Sequence, residues 1–150
     1  MSYSKIIIHF VIVTHLREQT INSEHENELY VYINGIINKL EARLIRIGGM
    51  PDHLHIITEL PTKISVAEFA RTVKQSTSLW LKNNKNFPKW KGWAEGYSAF
   101  SCSAHNIKRI TEYVRTQKEH HKKISLTDEY INFLKATGIE YNEKYLPINN

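Results

Sequence analysis

Gly48-Gly49-Met50-Pro51-Asp52-His53-Leu54-His55-Ile56-Ile57-Thr58-Glu59-Leu60 is the stretch that decides how this 150-residue chain is read. The apolar, β-branched run over 53–60 predicts a strand, entered through a turn over 48–52. Successive side chains of a strand leave opposite faces, so His53 and His55 project together while Leu54 and Ile56 turn the other way. Two imidazoles held side by side on a rigid strand make half of a divalent-metal site. A lone His-x-His on a strand is more often structural, so its meaning depends on what else faces the pair.

Outward from that strand, residues 42–47 predict its hairpin partner, and residues 4–14 predict a first strand buried on both faces for much of its length. Ser23-Glu24-His25-Glu26 spells a capping box that opens a helix to about Leu40, with Leu29, Ile33, Ile36, Ile37 and Leu40 on its apolar face. Ser65-Val66-Ala67-Glu68 opens a second helix through Lys82, with Phe69, Val73 and Leu79 to Leu81 toward the core. Residues 85–95 read as a loop holding Trp90 and Trp93, and 97–101 as a fourth strand. A third helix is expected from Asn106 to His121 and a fourth from Thr127 to Thr137, stopped by Gly138. The order β-α-β-β-α-β predicts an α+β fold: a ferredoxin-like or RRM-like antiparallel sheet covered by two helices, with further helices appended at the C-terminal end. In that topology strands one and three are central and adjacent, which puts His53 and His55 mid-sheet. Such folds host many activities, so topology alone assigns none.

Hydrophobic residues make up 41% and charged residues 23% of the chain, ordinary for a globular protein and enough for a single domain with its own core. The single cysteine, Cys102, excludes an internal disulfide framework and a multi-cysteine zinc site. The longest apolar run, residues 6–13, is interrupted by His9 and far too short to span a bilayer, and no leader-type segment opens the chain, so a cytoplasmic setting and no membrane partner are expected. The net charge of +5 favours a polyanionic partner. Basic charge concentrates on one segment: Lys108, Arg109, Arg115, Lys118, Lys122 and Lys123 face only Glu112 and Glu119 over residues 106–123, whereas residues 124–150 are slightly acidic.

Within that basic segment Ile107, Ile110 and Val114 form a helical core stripe, and Tyr113 and Gln117, four residues apart, sit along one edge of it. His-hydrophobic-His on a strand followed by Tyr-x-x-x-Gln on a later helix resembles the single-tyrosine (Y1) HUH transposases of the IS200/IS605 class. The resemblance extends through Thr14-His15-Leu16-Arg17 at the end of the first strand, Lys74-Gln75-Ser76-Thr77-Ser78-Leu79-Trp80 in the second helix, and Gly96-Tyr97-Ser98-Ala99-Phe100-Ser101 at the fourth strand. It continues through Glu112-Tyr113-Val114-Arg115-Thr116-Gln117-Lys118-Glu119-His120-His121 and covers about residues 3–123. His15 departs from the lysine common at that place in the family.

The resemblance implies that residues 1–150 are one HUH endonuclease domain, with 124–150 as a helical extension. It implies that Tyr113 is the nucleophile and that His53, His55 and Gln117 bind one Mg²⁺ or Mn²⁺. It further implies cleavage and rejoining of single-stranded DNA, often carrying a hairpin, through a 5′-phosphotyrosine link, by a homodimer in a bacterial or archaeal cytoplasm. Arg17, Lys74, Lys108, Arg109 and Arg115 are the expected DNA contacts. Three other readings compete. A domesticated relative that nicks repeat hairpins would use the same chemistry. A non-catalytic RRM-like module would expose paired aromatics on the central strands, where this chain has Ile6, Ile7, Ile8 and the two histidines. A water-using phosphoesterase would need a carboxylate base, which the motif lacks. His9 is expected to be a satisfied sheet histidine, His25 and His105 to do little at helix starts, and His120 and His121 to be packed or solvated.

Overall fold

The computed structural model describes residues 2–117 together with Asp128 and Ile131. Apart from Asp128 and Ile131, the expected fourth helix lies outside the described residues, as do the last turns of the third and His120 and His121. The apolar runs become one four-stranded antiparallel sheet: β1 (Ile6–Val13), β2 (Arg43–Met50), β3 (His53–Leu60) and β4 (Ser98–Cys102), in spatial order β2-β3-β1-β4. This is the arrangement expected from the sequence, with β1 and β3 adjacent at its centre.

Pairing register sorts the side chains onto two faces. His53 lies opposite Val13, His55 opposite Val11 and Ile57 opposite His9, so these residues share a face with Ile7. Phe10, Ile12, Leu54, Ile56 and Leu60 point the other way, into a core closed by α1 (Glu26–Lys39) and α2 (Val66–Lys82). Phe69 of α2 stacks on Phe10 there, ring centroids 4.8 Å apart. The histidine face is covered instead by α3 (Ile107–Arg115), whose Val114 packs with Ile7 and Ile57.

Several local expectations change. Ser65 caps α2 as its motif demands, its hydroxyl accepting from the Glu68 N–H at 3.0 Å. The box at Ser23 does not form: α1 begins at Glu26 without a side-chain cap, and Asn22 makes the local turn by accepting from the Glu24 N–H. Gly48 and Gly49, read as turn residues, are paired inside β2, which leaves only Pro51 and Asp52 between the strands. Leu79 is exposed on α2, while Leu81 is buried. Trp93 is held in the packing by its indole N–H, which donates to Thr77 Oγ1 at 2.9 Å.

Candidate active site

The short hairpin tip is what fixes His53. The Asp52 carbonyl accepts from both the backbone N–H and the hydroxyl of Thr14, and the Pro51 carbonyl accepts from the N–H groups of Thr20 and Ile21. Residues 14–21 thus wrap the tip. Within them Leu16 and Arg17 adopt left-handed backbone, φ 52° and 56°, a conformation that costs roughly 1–2 kcal/mol per non-glycine residue. The bend folds Arg17 back so that its Nε donates to Asp52 Oδ2 at 2.8 Å, both side chains buried. The other carboxylate oxygen of Asp52 meets Nδ1 of His53 at 2.7 Å. Burial pushes the Asp52 carboxyl up, but the hydrogen bonds and charge of His53 and Arg17 outweigh it and hold the group below the usual carboxylate range.

His55 has a different neighbour. Its Nδ1 lies 2.8 Å from Nε2 of His9, two residues away across the β1–β3 ladder, and all three histidines His9, His53 and His55 are 0% exposed. The His53 and His55 rings stand edge to face with centroids 5.1 Å apart. Each therefore commits Nδ1 to the protein, which makes Nε2 the ring atom on offer to a ligand. Among the described residues no three His, Cys, Asp or Glu side chains gather as a metal-holding group. The donor set to weigh is two imidazoles and an amide.

Tyr113 joins the histidines within the same chain. Its ring stands edge-on to His55 with centroids 6.1 Å apart, on the half-buried side of α3. Gly48 lets α3 come this close, and Gly49 fits against the backbone of β3. A Cβ on Gly48 would meet Val114 Cγ1 and its carbonyl oxygen, each at 3.0 Å, and one on Gly49 would meet the His53 carbonyl oxygen at 2.2 Å. The expected continuous helix stops at Arg115, with Thr116 as its C-cap and helical backbone resuming at Gln117. Gln117 is buried and lines a cavity of about 400 Å³ with Gly48 and Gly49, the former being the strand partner of His55. Arg46 and Arg115 line the same cavity, and α1 contributes Tyr30. Burial, reinforced by Glu26, raises the Tyr30 hydroxyl well above the usual phenol range, so it stays protonated.

The five expected DNA contacts divide. Lys108 and Arg109 are exposed on α3. Arg115 is exposed but bound to Glu112 one turn back. Lys74 donates to the carbonyls of Ala94 and Gly96 at 2.9 and 2.8 Å and so holds the loop before β4; burial lowers its ammonium from the ordinary value, with Glu95 opposing. Arg17, expected to meet phosphate, faces inward to Asp52. His9 and Asp52 are the participants that sequence reading did not assign. Asp52 was visible as the residue directly before His53, whereas the role of His9 depends on a register that no local pattern states.

The sequence model of the family described as "Transposase IS200 like" matches residues 2–117. The chain belongs to that family. The curated relatives include the transposases for insertion sequence element IS200 of Salmonella typhimurium and Salmonella typhi, each 25% identical over 119 residues, covering 76% of this chain and 78% of theirs. Solved structures agree on the fold of this IS200-like transposase. A candidate transposase from Deinococcus radiodurans R1 superposes with TM-score 0.58 at 22% identity, covering 77% of this chain and 93% of that one. A REP-associated tyrosine transposase bound to a REP hairpin gives TM-score 0.63 at 15% identity, covering 94% and 86%.

Proposed function

We propose that this IS200-like transposase cuts and rejoins single-stranded DNA, with Tyr113 as nucleophile and His53, His55 and Gln117 as ligands of one Mg²⁺ or Mn²⁺. The observation that carries the reading is the meeting, in one chain, of the imidazole pair of β3 with the phenol of α3, 6.1 Å between the ring centroids of His55 and Tyr113. The donor set fits such an ion: two imidazole nitrogens and an amide oxygen are all neutral, so its charge remains available to a phosphate. Bound there, the ion supplies Lewis acidity to the scissile phosphate.

The remaining chemistry belongs to the chain. The Tyr113 oxygen attacks phosphorus and loses its proton to solvent. A phosphotyrosine ester forms with the phosphate at the new 5′ end while the 3′-oxygen leaves and takes up a proton. The ester keeps the energy of the phosphodiester, so a 3′-OH can attack it and restore a strand without an outside energy source. Tyr113 is a weak nucleophile while protonated, its ordinary pKa being about 10, and nearby positive charge favours the phenolate. Lys108, Arg109 and Arg115 are proposed to meet DNA phosphates, and two copies of the chain to supply the tyrosines for paired cuts, in a cytoplasmic setting.

The likeness to a hairpin-bound REP-associated transposase over 94% of this chain favours a hairpin-bearing substrate. It also supports a second reading, a relative that nicks repeat hairpins outside a mobile element. Incubation with labelled hairpin DNA and Mg²⁺, followed by denaturing gels, tests the chemistry common to both. Wild type should form a covalent adduct, and Tyr113→Phe should lower its yield by roughly 10⁴-fold or more while DNA binding persists. An adduct that survives Tyr113→Phe removes the tyrosine from its role. His53→Ala or His55→Ala should weaken Mn²⁺ binding, and an unchanged titration removes the ligand assignment.

A further inference from the structure

We propose that His9 is a positioning residue for the metal site: it accepts a hydrogen bond from His55 and so presents Nε2 of His55 to the divalent cation. This rests on the ligand assignment proposed above and deepens it. His9 Nε2 and His55 Nδ1 are 2.8 Å apart, and neither ring is exposed. A neutral imidazole has one N–H and one acceptor nitrogen. If His55 gives the lone pair of Nε2 to a cation, its proton sits on Nδ1 and must be donated to His9. His9 Nε2 is then the acceptor, and the proton of His9 sits on its own Nδ1. In the opposite arrangement His9 Nε2–H donates to His55 Nδ1, the His55 proton moves to Nε2, and that atom cannot ligate. One hydrogen bond thus has two proton arrangements, and only one of them is open to a metal.

The partner of His53 is of another kind. Asp52 is an ionised carboxylate, an acceptor in either arrangement, and Arg17 holds its second oxygen. The two ligands are therefore oriented by unlike groups, one anionic and one neutral. A neutral acceptor behind His55 donates less electron density through the ring than a carboxylate does, which keeps more of the cation's charge for phosphate. His9 is itself fixed in the sheet between Ile57 of β3 and Phe100 of β4, its partners in register.

The test uses the full chain with Mn²⁺ alone, followed by calorimetry or electron paramagnetic resonance, with thermal melting to confirm folding. His9→Leu removes the acceptor and should raise the Kd for Mn²⁺ about 10–100-fold. His9→Gln restores a carbonyl oxygen at similar reach and should recover most of that loss. A folded His9→Leu that binds Mn²⁺ as tightly as wild type overturns the inference, as does a Gln variant no better than Leu. Independently of any variant, the ¹⁵N-resolved imidazole spectrum of the Mg²⁺-loaded wild type should show both His9 and His55 protonated at Nδ1. A proton on His9 Nε2 overturns the inference even if the Leu variant does not fold. A wild type that takes up no Mn²⁺ sinks the ligand assignment and this inference together, whereas uptake insensitive to His9 sinks this inference alone.

Discussion

The two faces of the sheet are made by the same strands, yet they are closed in opposite ways. On one, Phe10, Ile12, Leu54 and Ile56 meet two long helices in a continuous apolar core. On the other, Ile7, Ile57 and Val114 form a small apolar cluster beside three fully buried histidines. Apolar packing tolerates approximate fits, whereas buried polar groups are costly unless each is satisfied. The histidine face accordingly carries buried hydrogen bonds: Arg17 and His53 each to the carboxylate of Asp52, and one between His9 and His55. The main apolar core is lodged on one face and the candidate site on the other, and the two-residue alternation of β3 serves both.

The sharpest way to break this division is to damage the packed face alone. Phe10→Ala should cost about 3–5 kcal/mol in denaturant unfolding, while adduct formation by the folded fraction stays near wild type; a loss as deep as that of Tyr113→Phe would mean that the faces are not separable. Gly48→Ala probes the seam between strand and helix. The added Cβ meets Val114 at 3.0 Å, part of it backbone, so α3 must shift. The expected cost is about 1–3 kcal/mol, with adduct yield falling further than the folded fraction does; equal declines would deny that α3 sets the position of Tyr113. The smallest effect concerns the solvent side of α3. Replacing Lys108 and Arg109 together by Ala should flatten the salt dependence of single-strand binding by about 0.7 in log–log slope for each phosphate that is no longer neutralised. An unchanged slope would place the DNA elsewhere.

Much of the packed face was legible from sequence, because burial of Leu54 and Ile56 follows from strand alternation and the cap at Ser65 follows from four residues. The His53–His55 pair was legible for the same reason. What escaped depends on partners distant in sequence. Ser23 carries the capping pattern, but the chain between β1 and α1 is committed to wrapping the hairpin tip, and Asn22 makes the turn instead. Gly48 and Gly49 look like turn residues because glycine is common there; in fact they are strand residues without side chains, Gly48 so that a helix can lie on it and Gly49 because the backbone of β3 leaves no room. Arg17 reads as a surface cation until left-handed backbone turns it inward. His9 sits in an apolar run, and only the β1–β3 register shows which histidine it meets.

The small cluster under α3 has a dynamic consequence. Among the described residues, a cluster of three buried side chains with a fringe of partly buried ones anchors this helix, while the sheet and the other two helices share a far larger core. Elements held by little apolar packing open at lower free energy than the global fold. Among the described elements, the tyrosine-bearing helix is thus the one expected to open first, with the histidine-bearing framework outlasting its departure.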